Sequence, residues 1–128
     1  MNKRFQDLDT ITENDIQAVF QRNDSAELVL VSVSIALISP DLDIAQDACI
    51  RLCSHSSPLV KGNALVSLGH LARRFRQLDE LRVKPIIEEA LEDTNEYICS
   101  SAQSAADEIH QFLGWTFKGH EYARDAGV

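Results

Sequence analysis

The sequence predicts an all-α fold, a short α-solenoid of about three stacked helical hairpins, and two observations carry that expectation. Residues 57–71 read like residues 95–109, and the echo runs at an offset of 38 residues. Self-similarity at that period marks a helical-hairpin repeat, in which each unit buries its apolar face only by stacking on its neighbour. The offset carries Val60 to Ile98, Ala64 to Ala102, Leu68 to Ala106, Leu71 to Ile109 and Phe75 to Leu113. Apolar or small residues thus meet at every tested position. The second observation is punctuation: Ser, Thr, Asp, Asn and Pro fall between apolar stretches at helix spacing.

The 128 residues form one expected domain, 45% hydrophobic and 25% charged, enough for an ordinary core. Residues 1–11 read as a polar lead-in arm. Thr12 opens a capping pattern with Asp15 three residues on, and Ile16, Val19 and Phe20 form the apolar side of a short helix. Asp24 or Ser25 caps the next helix. Its residues Leu28, Leu30, Val31, Val33, Ile35, Ala36 and Leu37 are apolar nearly all round, which predicts burial on more than one side. Ser39-Pro40-Asp41 breaks the chain, because proline lacks an amide donor and restricts the residue before it.

Leu42, Ala45, Cys49 and Leu52, with Ile44 and Ala48 beside them, then recur at i, i+3, i+4 spacing. Ser57 is the expected N-cap of the following helix and Pro58 its first residue, where a missing amide costs nothing. Val60, Ala64, Leu68, Leu71 and Phe75 share one face of that helix, and Asn63, Ser67, His70 and Arg74 make a polar stripe on another. Leu78 to Leu81 reads as a connection. Pro85, Ile86, Ile87, Ala90 and Leu91 mark the first helix of the third hairpin, and Asp93-Thr94-Asn95 the turn to a last helix with Ile98, Ala102, Ala106, Ile109 and Leu113 inward. Residues 114–128, with Trp115, Phe117 and Tyr122 among glycines and charges, form a tail that either docks or frays.

The composition also points away from several functions. No apolar run reaches the roughly 20 residues that a membrane crossing needs, and the basic start Lys3-Arg4 is not followed by a signal-like stretch. The expected address is the cytoplasm. Cys49, Cys53 and Cys99 lie inside helical patterns and read as buried thiols, with no third ligand at metal spacing. A net charge of −8 argues against nucleic acid as a partner and for a basic protein, since opposite potentials speed association.

No Gly-x-Ser-x-Gly turn or glycine-rich phosphate loop appears, so no enzyme, cofactor or metal is expected. His110, and His120 with Glu121, read as capping or solvated groups. The carboxylates Glu88, Glu89, Glu92, Asp93, Glu96, Asp107 and Glu108 read mainly as a solvated helix face.

Val60, Ala64, Leu68 and Gly69, in a Val-x-x-x-Ala-x-x-x-Leu-Gly pattern after a tight turn, resemble HEAT repeats over residues 40–113. The third repeat departs from that form, with Ala106 and Asp107 where Leu68 and Gly69 stand. Residues 64–73, with Pro85-Ile86-Ile87 and the run from Glu89-Ala90-Leu91 to Phe112-Leu113-Gly114-Trp115, are similar to short bacterial HEAT-like proteins. Some of these are immunity proteins of toxin systems, including contact-dependent growth inhibition.

What the resemblance implies is a cytoplasmic protein, monomeric or in a heterodimer, that binds and neutralises the C-terminal domain of a cognate toxin, of basic nuclease type. Its expected binding patch joins Asn63, Ser67, His70 and Arg74 to Ser101, Ser104, Asp107 and Glu108, on neighbouring second helices. The resemblance leaves two other readings open. One is a HEAT-like adaptor; the other is a lyase-type subunit that binds a partner chain and a cofactor. A glycosylase of this fold would need a basic groove with aromatic walls, which this chain, 6% aromatic, does not offer.

Overall fold

Six polar side chains set where the helices begin. The computed structural model describes residues 12–120 and shows six α-helices with no strand among those residues. Helix α1 spans Glu13–Arg22 behind a reciprocal capping box between Thr12 and Asp15. Helix α2 spans Ser25–Ile38 with Asp24 as N-cap, and α3 spans Leu42–Leu52 with Asp41. Helix α4 covers Pro58–Phe75 behind Ser57, α5 covers Glu80–Leu91 behind Asp79, and α6 covers Glu96–Leu113 behind Asn95. Each cap accepts a hydrogen bond from an amide of the first turn, a donor that the helix itself cannot satisfy.

The two 18-residue helices α4 and α6 start and stop 38 residues apart, as the echo requires. Helix α4 lies at the centre, packed against α2 on one side and α6 on another, with α3 also on it. Helix α1 packs on α2, and α5 packs on α6. Val31 and Ile35 of α2, Leu65, Leu68 and Leu71 of α4, Val83 and Ile87 of α5 and Ile109 of α6 are fully buried in one continuous core. Burying side chains of this size stabilises by roughly 1.5–3 kcal/mol each, before the cost of ordering the chain.

One expectation changes and two others are resolved. Helix α5 begins at Glu80, inside the stretch read as a connection, because Asp79 caps it and the buried Leu78 anchors the approach. Pro85 therefore sits inside the helix, where it removes one backbone donor. Helix α2 is buried on more than one side, against α1, α3 and α4, while Leu30 and Leu37 are 49% and 46% exposed. The tail docks as far as it is described. Phe117 is buried beside Trp115, the Lys118 amide donates to Glu88 Oε2 at 2.7 Å, and His110 Nδ1 donates to the Trp115 carbonyl at 2.8 Å. The expected arm, 1–11, and residues 121–128 of the tail, with Glu121 and Tyr122, lie outside the described residues.

Candidate functional site

The polar stripe of α4 meets α6. Gly62 and Gly69 lie where the two helices come closest: a β-carbon at Gly69 would stand 3.3 Å from the Ala105 backbone, and one at Gly62 would overlap the Tyr97 ring. Around these contacts the polar groups pair across the seam. Asn63 Nδ2 donates to the Leu59 carbonyl and to the Tyr97 hydroxyl, both at 2.8 Å. His70 Nδ1 donates to Glu108 Oε1 at 3.1 Å, and Arg73 reaches the other oxygen of that carboxylate, also at 3.1 Å. Glu108 thus bridges His70 and Arg73 of the neighbouring helix.

The expected patch is accordingly part surface and part interior. Ser67 is fully buried and its hydroxyl has no partner, and Ser101 is buried too, because both face neighbouring helices and not solvent. The exposure expected of those two serines is corrected. Arg74 is exposed but committed: its guanidinium donates to the Ala36 and Ser39 carbonyls at 2.9 Å each, satisfying the C-terminal end of α2. Ser104 and Asp107 are exposed, and Asp107 accepts from His120 Nε2 at 2.8 Å. Asn63, His70 and Glu108 converge half-buried along the seam.

Sequence reasoning missed the part that α2 plays. Counted from the N-caps Asp24, Ser57 and Asn95, the positions two, six, nine and thirteen residues on are Ala26, Leu30, Val33 and Leu37 in α2, Leu59, Asn63, Val66 and His70 in α4, and Tyr97, Ser101, Ser104 and Glu108 in α6. These stripes share one helical register on three helices packed side by side. They carry Leu30, Leu37, Leu59 and Tyr97, each 42–51% exposed, which are four of the five large apolar side chains that stand out among the described residues; the fifth is Leu81. The 4-3-4 spacing of the α2 stripe was present in the sequence. It was absorbed into a run that reads as wholly apolar.

The carboxylate cluster noted in the sequence is also a segregation of charge. Between Lys84 and Lys118 the chain has no Lys or Arg but seven carboxylates, Glu88, Glu89, Glu92, Asp93, Glu96, Asp107 and Glu108. Glu96, Ser100, Gln103 and Asp107 form an exposed row on α6, beside the shared stripe.

The thiols are not placed for chemistry. Burial pushes both Cys49 and Cys53 upward, Cys53 to about 12, so neither is a thiolate near neutrality. Cys99 is half-buried with its Sγ on the Leu91 carbonyl. No cluster of three or more His, Cys, Asp or Glu that could hold a metal occurs among the described residues. Among those residues no helix is long and apolar enough to cross a membrane.

The fold and these surfaces define a small all-helical protein with a mixed apolar and polar face on three adjacent helices. Compared with known protein families, characterised proteins and solved structures, the chain finds no match.

Proposed function

We propose that the chain is a short HEAT-like α-solenoid of three hairpins, α1–α2, α3–α4 and α5–α6, that acts by binding another protein. The observation that carries this reading is the shared stripe, where exposed Leu30, Leu37, Leu59 and Tyr97 stand in one helical register beside Asn63, His70 and Ser104. Apolar side chains left in water at matched positions, rimmed by polar groups, suit a protein interface. The acidic stretch from Glu88 to Glu108 favours a basic partner and faster encounter with it.

With the resemblance to bacterial HEAT-like proteins, the best-supported function is that of an immunity protein. It would act in the cytoplasm as a stoichiometric inhibitor that covers a basic, nuclease-type toxin domain. The test is to sequence the gene immediately upstream and, where it encodes a large secreted protein, to co-express the chain with that protein's C-terminal domain and measure complex stoichiometry, affinity and protection of cells; an upstream gene of another kind would count against the reading. A 1:1 complex is expected, weakened by Leu30→Glu with Leu37→Glu, and formed more slowly in Glu96→Lys with Asp107→Lys at low salt. Full protection and unchanged affinity in both variants would refute the reading.

A further inference from the structure

Residues 115–120 of the tail lie on the acidic part of the molecule. Glu88 of α5 and Asp107 of α6 are two of the seven carboxylates between Lys84 and Lys118, and the tail holds both. The Lys118 amide donates to Glu88 Oε2 at 2.7 Å, and His120 Nε2 donates to Asp107 Oδ1 at 2.8 Å. The His120 amide donates to the Phe117 carbonyl at 3.3 Å, and Phe117 itself is buried in the core. This segment thus straps α5 to α6 after Gly114, whose φ of 76° turns the chain out of the helix.

The strap meets α6 on the side turned away from α4. Ala105 faces Gly69 across the α4 seam, and Asp107, two residues on, is rotated from it by about 200°. Asp107 also ends the exposed row Glu96, Ser100, Gln103 and Asp107 beside the shared stripe. The two sides of the last bond differ in access: the Asp107 side chain is 61% exposed, that of His120 only 10%. A cation arriving from solvent therefore reaches the carboxylate before the strap has moved. An imidazole donor holds so exposed a carboxylate weakly, and a guanidinium brings two donors in a planar fork.

We propose that residues 118–120 are a displaceable strap over the acidic row, which an arginine-rich segment of a partner protein lifts by taking Asp107 from His120. The proposal rests on the reading of that row as the surface met by a basic partner, and adds its regulation. With the strap down, Asp107 is engaged within the chain, and apparent affinity is lowered by the fraction of molecules that are open. Gly119 alone separates the two holding points, so His120 and the Lys118 amide let go together and Glu88 is freed as a second carboxylate. Phe117 stays in the core and anchors the strap for its return.

The probe is fluorescein-labelled deca-arginine, titrated by anisotropy into the full-length chain at low salt, with exchange of the Lys118 amide followed by nitrogen-15 NMR. His120→Ala should bind the probe about threefold tighter or more, and His120→Gln, whose side-chain amide can still donate to Asp107, should bind it as the native chain does. Saturating probe should speed exchange of the Lys118 amide by about tenfold or more in the native chain. Asp107→Asn keeps an acceptor for His120 but loses the charge, so it should weaken binding more than Asp43→Asn, the same loss at an exposed position of α3. Equal affinity in the native chain and His120→Ala, or a Lys118 amide still protected at saturation, would overturn the strap, while a selective loss in Asp107→Asn would leave the acidic row standing. Equal losses in Asp107→Asn and Asp43→Asn would remove the row as a site for cations, and the strap with it.

Discussion

Placing one methyl group on Gly62 sets two known effects against each other at the α4–α6 seam. Alanine inside a helix is favoured over glycine by about 1 kcal/mol, so Gly62→Ala considered alone should stabilise α4. The added carbon, however, would overlap the edge of the Tyr97 ring, with Cδ2 at 2.7 Å, and would come 2.9 Å from Ser101 Oγ. The ring must leave. Its departure breaks the 2.8 Å bond to Asn63, worth about 0.5–1.5 kcal/mol net, and exposes the ring surface packed on α4, worth about 1–2 kcal/mol. The sum favours loss: about 1–2 kcal/mol of destabilisation after the helix-propensity gain.

The control is Tyr97→Ala, in which only the rotatable Ser101 hydroxyl opposes the new methyl. There Gly62→Ala should be neutral or stabilising by up to about 1 kcal/mol, so the double-mutant cycle should show about 2 kcal/mol of coupling. Urea unfolding followed by helical circular dichroism gives all four free energies by linear extrapolation. Stabilisation of the native background by Gly62→Ala, or an equal penalty with and without Tyr97, would refute the close-approach argument.

Other substitutions test other parts of the architecture. Ser67→Ala removes a buried hydroxyl that has no partner, so it should leave stability unchanged or raise it by up to about 1 kcal/mol; a loss above 1 kcal/mol in urea would mean the hydroxyl is satisfied in solution. Arg74→Ala strips two donors from the C-terminal carbonyls of α2 and should cost about 1–2 kcal/mol, read as a lower urea midpoint, whereas Arg51→Ala should cost less than half of that. Cys53, whose thiol is raised from 9.0 to about 12, ionises first in the unfolded chain, so its contribution is complete below pH 9 and is lost as pH rises from 9 towards 12. Unfolding free energy should therefore fall from pH 8 to pH 10 less steeply in Cys53→Ala, and a thiol reagent should leave Cys49 and Cys53 unlabelled in the native protein; equal slopes or rapid labelling would contradict their burial.

Local chemistry was readable from the sequence because it acts over three or four residues. Thr12 and Ser57 are N-caps where the sequence puts them, Asp24 is the one of its two candidates that caps, and Asp41 and Asn95 cap from within the expected break and turn, while Val60, Ala64, Leu68 and Leu71 point inward with their counterparts Ile98, Ala102, Ala106 and Ile109. Exposure at the binding stripe was less readable, because it depends on how many neighbours a helix has. Helix α4 is covered on two sides, so Ser67, which periodicity puts on the polar face, is enclosed. Helix α2 leaves Leu30 and Leu37 in solvent although its sequence is more apolar than its position requires. Composition alone gives no sign of that difference. Helix α5 was misjudged at its start for another reason: Pro85 is a stronger local signal than Asp79, yet tertiary packing of Val83 and Ile87 holds the helix together across it.

The central place of α4 also governs how the molecule opens. An amide in α4 exchanges with deuterium only when α2, α3 or α6 lets go, whereas α1 leans on α2 alone among its neighbours with extensive contact. Breathing motions should therefore begin at α1 and spread inward, with protection rising towards Leu65 and Leu68. A protease acting on the folded protein would meet the N-terminal hairpin first and the middle helix last.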